Sequence, residues 1–368
     1  MPELPEVEAA RRLLETHCRG QKLTGCSPVD PFDSIVFSDA EACAASVSAA
    51  LLGKSIVAVH RKGKQLWLEL SSPPHLLAHF GMTGAFVVEG VKPLMYKEFK
   101  VHDEEWPPRF TKLELTFSSG TRLAFCDPRR LGRLRLRSAP ESQEPISALA
   151  PDPLLSPITA GTAKAALKRT GKTIKALLLD QSALVSGVGN WVADEILFQS
   201  GIHPEAPCNT LSDRQAECMH KSLLHIVTSA VAANAESSSF PDDWLFHYRW
   251  GKGSKGGGGP VPGPKGGAIS FITVGGRTSA VVLSQQKKGE LKGGATKAAE
   301  GGATEAKKAA KLSAAAGTSA SSSASSGAGE APSASASTST AASTSSKSKR
   351  KAKDEVGGGI AKTRSRRA

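Results

Sequence analysis

The chain has 368 residues, with 47 Lys and Arg against 34 Asp and Glu, for a formal net charge of +13. Its last aromatic residue is Phe271, and a stretch as long as the remainder without one cannot build an ordinary core, so the folded part is nearer 280 residues than 368. Residues 285–368 carry 16 basic and 6 acidic side chains, a net of +10, and the other 284 residues are close to neutral at +3. That division excludes reading the charge as one basic active-site groove, while the tail still favours a polyanionic partner.

In chain order, residues 5–17 read as a helix. Pro5 suits the first turn, the early glutamates suit the positive end of the dipole, and Val7, Ala10, Leu13 and Leu14 form an apolar face. From about Lys22 to Leu136 the pattern is mostly β, with alternating runs at 55–60, 65–70, 112–117, 122–126 and 133–137 and a helical interruption at 40–52. Short strands with Gly and Ser turns predict a sandwich or barrel in residues 1–137. Five prolines mark 138–158 as a linker. Helices follow near 160–169, 173–181, 190–200 and 212–235, in a helical domain over 159–240. Residues 241–284 hold an aromatic-rich segment, with a strand at His247–Arg249, a Gly/Pro-rich insert over 251–268, and two strands flanking Gly275 and Gly276. Residues 285–368 read as a disordered tail with basic clusters at 347–353 and 362–367. The fold class expected is α+β.

The six cysteines, at 18, 26, 43, 126, 208 and 218, contain no close pair, which argues against a structural zinc site and for reduced thiols in an intracellular protein. No apolar run of 18 residues is present, so no membrane span is expected. Nor does the amino terminus have the character of a signal or transit peptide.

The chemistry begins at that terminus. Pro2 is small, so Met1 is expected to be removed, leaving a secondary amine. An α-amine titrates near 8, so at neutral pH a fair fraction is a free nucleophile. Attack on a sugar C1′ would give an iminium, an electron sink for strand cleavage, with the Glu3 carboxylate beside it to move protons. The plainer reading is that Pro2, Glu3 and Glu6 only start a helix well.

The string PELPEVE at 2–8 resembles the amino terminus of the formamidopyrimidine-DNA glycosylase (Fpg/MutM) family. Further segments follow in the family's order. These are RKGK at 61–64, HFGMTG at 79–84, DPRRLG at 127–132, KTIKALLLDQSALVSGVGNWVADEILFQSGIHP at 172–204, and Gly276-Arg277-Thr278. The resemblance implies an N-terminal β-sandwich with flanking helices, a helix–two-turn–helix DNA-binding domain and a finger hairpin. It implies a bifunctional glycosylase and abasic-site lyase acting on damaged double-stranded DNA as a monomer. Pro2, Glu3 and Lys64 would be catalytic. Met82, Arg129 and Leu131 would fill and read the gap left by an extruded base. Lys172, Asn190 and Arg277 would contact DNA, with Asn190 also able to cap its helix. Glu195 would help position the amino-terminal residues, a role that Glu6 could share.

Two departures matter. Bacterial members end in a four-cysteine zinc finger, whereas nothing with that spacing follows Cys218, so this chain resembles the plant and fungal branch with a zincless finger and implies neither metal nor organic cofactor. The stretch between the long helix and His247 is short, which implies weak excision of 8-oxoguanine and better action on formamidopyrimidines and abasic sites. Leu131 stands where the family has an intercalating Phe. A Nei-like glycosylase for oxidised pyrimidines and a non-catalytic DNA-binding protein are the alternative readings. The basic tail is expected to direct nuclear import or to add DNA affinity.

Overall fold

The computed structural model describes residues 2–29, 31–39, 42–94, 105–250 and 261–288. Met1, residues 251–260 of the insert and 289–368 of the tail lie outside them.

Helix α1, Leu4–Cys18, opens with a capping box in which the Glu3 and Glu6 side chains each accept a backbone N–H. It is followed by β1 (Leu23–Pro28), α2 (Ala44–Leu51) and β2 to β8 (Ile56–Lys62, Gln65–Leu70, His75–His79, Ala85–Val88, Thr111–Phe117, Arg122–Cys126 and Arg133–Arg137). The strands form two four-stranded antiparallel sheets, in the orders β1-β6-β7-β5 and β2-β3-β4-β8. Period-two alternation turns Leu66, Leu68, Leu113, Leu115 and Phe117 inward, where they share one core with Val7, Ala10 and Leu14 of α1. The N-terminal half is therefore the expected β-sandwich with flanking helices.

The turn at 79–84 is not a hairpin. Its strands β4 and β5 belong to different sheets, so Gly81–Gly84 carries the chain across the edge of the sandwich. Gly81 has φ +58°, and a Cβ there would lie 2.3 Å from the carbonyl carbon of Leu131. The Met82 turn is thereby pressed against the Leu131 loop.

Helices α3 (Ala160–Lys168), α4 (Ile174–Leu179), α5 (Asn190–Gln199) and α6 (Asp213–Ala232) enclose a second core. Leu4, from the first residue of α1, is buried in it. The segment 138–158 is more than a linker: Pro140, Ile146, Ala150 and Asp152 are buried, and Ala150 and Pro151 bond the backbone of Gln181 and Ser186.

Residues 247–249, expected as a strand, instead complete a 3-10 turn at Leu245–His247 and the turn that follows it. The Phe246 ring packs edge-on against Trp191 at 5.0 Å and Phe240 at 5.0 Å, and this aromatic cluster, not a ladder of backbone bonds, holds the segment. The finger follows as β9 (Val261–Pro262), β10 (Ala268–Val274) and β11 (Arg277–Val282). Gly275 and Gly276, at φ +59° and +71°, make the two-residue turn whose twist suits a hairpin. Residues 285–288, read as the start of the tail, are docked. Gln286 Nε2 donates to Ile202 O at 3.0 Å, and Lys287 N donates to Gly201 O at 2.9 Å. No helix among the described residues is long and apolar enough to cross a membrane.

Candidate active site and DNA interface

The amino terminus is built into the helical domain. Pro2 is buried and Glu3 is 2% exposed. The Glu3 carboxylate accepts from the amides of Trp191 at 2.9 Å and Val192 at 3.0 Å, the first free N–H groups of α5. A carboxylate at the positive end of a helix satisfies two orphan donors and the dipole together. Leu4 N donates to Gly187 O at 3.1 Å. A Cβ on Gly189 would fall 2.2 Å from Glu3 Cδ, and one on Gly187 would fall 2.7 Å from Leu4 Cδ1.

The Gly187–Gly189 turn is bare because residues 3 and 4 fill the space beside it, and Glu3 occupies the amides at the start of α5. Asn190 does not cap α5. The N-cap is Gly189, and Asn190 Nδ2 donates to Thr278 O at 2.9 Å, joining the helix to the finger.

Glu6 lies next to Glu3. Its carboxylate oxygens accept from Glu3 N and Trp191 Nε1, each at 3.0 Å. Burial, reinforced by the Glu3 charge, raises its pKa to about 7. Glu195 is also raised to about 7 by burial, but it serves another element. Its oxygens accept from Phe246 N at 2.8 Å and Gln199 Nε2 at 2.9 Å, so it anchors the aromatic segment that packs on Trp191. Positioning of the terminus falls to Glu6 and α5.

Lys64 is the second residue of the β2–β3 turn and is half-buried. Burial lowers its pKa, Arg277 pushes the same way, and Glu3 and Glu6 oppose, so these four charges converge on one site. Burial and then the Lys64 charge lower His79 to about 4, and its Nδ1 accepts from Gly81 N at 3.2 Å. His79 is therefore a neutral ring at neutral pH beside the lysine.

The lysine hairpin rests on a buried ionic group. Arg61, with a fully covered side chain, donates through Nε to Glu8 of α1 at 3.0 Å and through its terminal nitrogens to Asp152. Asp152 Oδ2 also accepts from Gly63 N at 2.7 Å, while Oδ1 accepts from Leu154 N at 2.9 Å and Leu155 N at 3.1 Å. The sequence reading passed over Asp152 because it sits in a proline-rich stretch 91 residues from Arg61.

Arg129 and Leu131 are exposed, Leu131 by 41%, and Met82 is half-buried across the same edge. Asp127 ties both loops together. Its Oδ1 accepts from Thr83 Oγ1 at 2.7 Å and Arg129 N at 3.2 Å, and its Oδ2 accepts from Gly132 N at 2.6 Å. Arg277 is exposed at the finger tip. Lys172 is exposed as well, but its ammonium pairs with Asp180 at 3.1 Å and is not brought into the charged cluster. The described residues contain no cluster of His, Cys, Asp or Glu able to hold a metal ion.

A buried amino terminus, a lysine-bearing turn whose charge feels Glu3, a two-glycine turn and an arginine-tipped finger together make a site suited to an enzyme that acts on DNA. Family models give the rest. Residues 1–134 match the formamidopyrimidine-DNA glycosylase N-terminal domain, and residues 149–242 match the formamidopyrimidine-DNA glycosylase H2TH domain. The chain is 44% identical over 288 residues to the Arabidopsis thaliana formamidopyrimidine-DNA glycosylase, spanning 78% of this chain and 71% of that one. The Bacillus subtilis formamidopyrimidine-DNA glycosylase is 31% identical over 240 residues, 64% of this chain and 80% of its own. Among solved structures, the Lactococcus lactis glycosylase non-covalently bound to DNA containing an abasic site superposes with a TM-score of 0.62 at 25% identity, covering 77% of this chain and 99% of that one. The Thermus thermophilus MutM protein gives 0.58 at 29% identity, covering 77% and 98%. The chain belongs to the formamidopyrimidine-DNA glycosylase family. It is a DNA glycosylase of base excision repair, in a family where abasic-site lyase activity is typical.

Proposed function

We propose that this chain, acting as a monomer, excises formamidopyrimidines and cleaves abasic sites through Pro2, with 8-oxoguanine a poor substrate. The observation that carries the Pro2 assignment is the pair of hydrogen bonds that the Glu3 carboxylate accepts from the Trp191 and Val192 amides at the start of α5. It fixes the terminus where the charges of Lys64, Glu6 and Arg277 meet.

The course is as follows. The lesion leaves the stack, Met82 and Leu131 fill the gap, and Arg129 faces the orphaned base. The Pro2 amine attacks C1′, and the base departs with the bonding electrons and a proton. The Pro2 nitrogen gives up its proton and the C1′–O4′ bond opens as O4′ takes a proton, leaving a cationic iminium. Loss of a C2′ proton then expels the 3′ phosphate, and loss of the C4′ proton expels the 5′ phosphate. Glu3 accepts and returns protons at the sugar. Lys64 has its ammonium pKa lowered by burial, which suits it to give a proton to the departing base or ring oxygen and to hold phosphate. Arg277 and the second amide hydrogen of Asn190 are placed to meet the backbone around the lesion.

The substrate preference rests on residues 233–250. They form a compact run of 3-10 turns with Phe240, Trp244, Leu245 and Phe246 buried, which supports the absence of a long loop to cover a flipped 8-oxoguanine. Single-turnover excision from duplexes carrying each lesion checks this. Formamidopyrimidine release is expected at least about tenfold faster than 8-oxoguanine release, a 1.4 kcal/mol difference in barrier. Efficient 8-oxoguanine removal would refute the preference, and faster release of oxidised pyrimidines would favour a Nei-like specificity.

We further assign the basic clusters at 347–353 and 362–367 to nuclear import, with a contribution to salt-dependent DNA affinity. A chain ending at Lys288 is expected to keep full lyase activity but to leave the nucleus when followed as a fluorescent fusion. Unchanged nuclear retention would rule out the import role.

A further inference from the structure

The open edge of the finger is covered by a helix. In the order β11-β10-β9, β11 has no strand on its outer side among the described residues. An edge of this kind exposes backbone groups that need partners. Helix α5 supplies two of them from side chains one turn apart. Asn190 Nδ2 donates to Thr278 O at 2.9 Å, and Asp194 Oδ2 accepts from Ala280 N at 3.2 Å. The hairpin turn rests on α4, where a Cβ on Gly275 would lie 3.3 Å from Ala176 Cβ.

Asp194 is 1% exposed and lies between two cations. Lys175 of α4, with no exposed surface, donates to Oδ1, and Arg249 donates to Oδ2 at 2.8 Å while its guanidinium lies 4.7 Å from the Trp250 ring. One carboxylate thus joins α4, α5, the aromatic segment and β11. A buried ionic cluster is a costly way to stabilise a fold, and apolar packing would do that at lower cost. Its use here fits a demand for one register of the hairpin on the helix.

We propose that Asp194 is a positioning residue for DNA binding. It fixes β11 on α5, and so places Arg277, three residues from Ala280 at the start of β11, against the DNA backbone. In this zincless finger the clasp supplies the constraint on the hairpin. The proposal rests on the reading of Arg277 as a DNA contact.

A double-mutant cycle on the full chain tests it, with a duplex carrying a tetrahydrofuran abasic-site analogue as the probe. Asp194→Asn and Arg277→Ala are each expected to weaken binding by about tenfold, and the double variant to bind no more weakly than Arg277→Ala. Each single variant should also lower the slope of log affinity against log salt by about one phosphate contact. If Asp194→Asn costs as much in the Arg277→Ala background as in the native one, or costs nothing, the proposal is overturned. If Arg277→Ala alone leaves affinity and salt slope unchanged, the reading of Arg277 falls and the proposal with it. Should Asp194→Asn lose its cooperative unfolding transition, Lys175→Met/Asp194→Asn, which leaves no orphaned ammonium, replaces it in the same cycle.

Discussion

Pro2→Gly is expected to reduce borohydride-trapped adduct on abasic-site DNA by about 10²-fold or more while leaving affinity for the tetrahydrofuran duplex within a few-fold of native. Glycine at the terminus keeps an α-amine but loses two properties. Proline's ring fixes the backbone that leads into Glu3, so the nitrogen is held at one place, and a displacement of about 1 Å at a reacting atom can cost about 10²-fold. The iminium formed by a secondary amine also has no N–H to lose, so it remains a cationic electron sink, whereas an imine from a primary amine can deprotonate. Binding is expected to be spared because the DNA contacts we propose are made by Met82, Arg129, Asn190 and Arg277, none of which the substitution touches. The Glu3 bonds to Trp191 and Val192 do not involve the substituted side chain. Trapping at an undiminished rate would remove Pro2 from the reaction.

Asp152→Ala is expected to destabilise the chain by about 3–5 kcal/mol. The change leaves Arg61, with its side chain fully covered, short of one of its two carboxylates. It also strips the acceptor from Gly63, Leu154 and Leu155. Against a total stability of about 5–15 kcal/mol, the loss is a large fraction. Urea unfolding measures it, and a loss below about 1 kcal/mol would show that solvent or Glu8 compensates Arg61. The effect reaches the chemistry as well, because Asp152 holds the turn that presents Lys64. Single-turnover excision below the unfolding transition should be slower for Asp152→Ala, and less so for Asp152→Asn, which retains an acceptor for Gly63 N.

Both variants bear on how the site could be read before folding was considered. Pro2, Glu3, Lys64, Met82, Arg129, Asn190 and Arg277 stand in contiguous motifs, so their neighbours in sequence carry the resemblance. Asp152 lies outside those motifs, and Arg61 and Asp194, though inside them, work through partners far along the chain; a carboxylate in a proline-rich run or on a helix has no local mark of burial. Glu195 shows the reverse case. Its motif is legible, but its partner is Phe246, and only packing determines which amide a buried carboxylate meets.

The amino-acid sequence by itself determined the elements whose period is set by one buried face. The run at 112–117 lies within β6, where buried and half-buried residues alternate throughout, because alternation records which side meets the core. The helices carry caps and stops that are equally local. Tertiary structure alone decided the rest. β5, Ala85–Val88, is buried at every residue, since Val87 packs with Ala124 and Cys126 on the side away from the main core, and it has no alternation to read. β1 contains Gly25 and Pro28 and is a strand because β6 pairs with it. The same holds at the site. Local sequence placed glycines at 187 and 189, but whether the space they leave admits a phosphate or the chain's own Glu3 depends on where α1 packs against α5, a contact made across nearly two hundred residues.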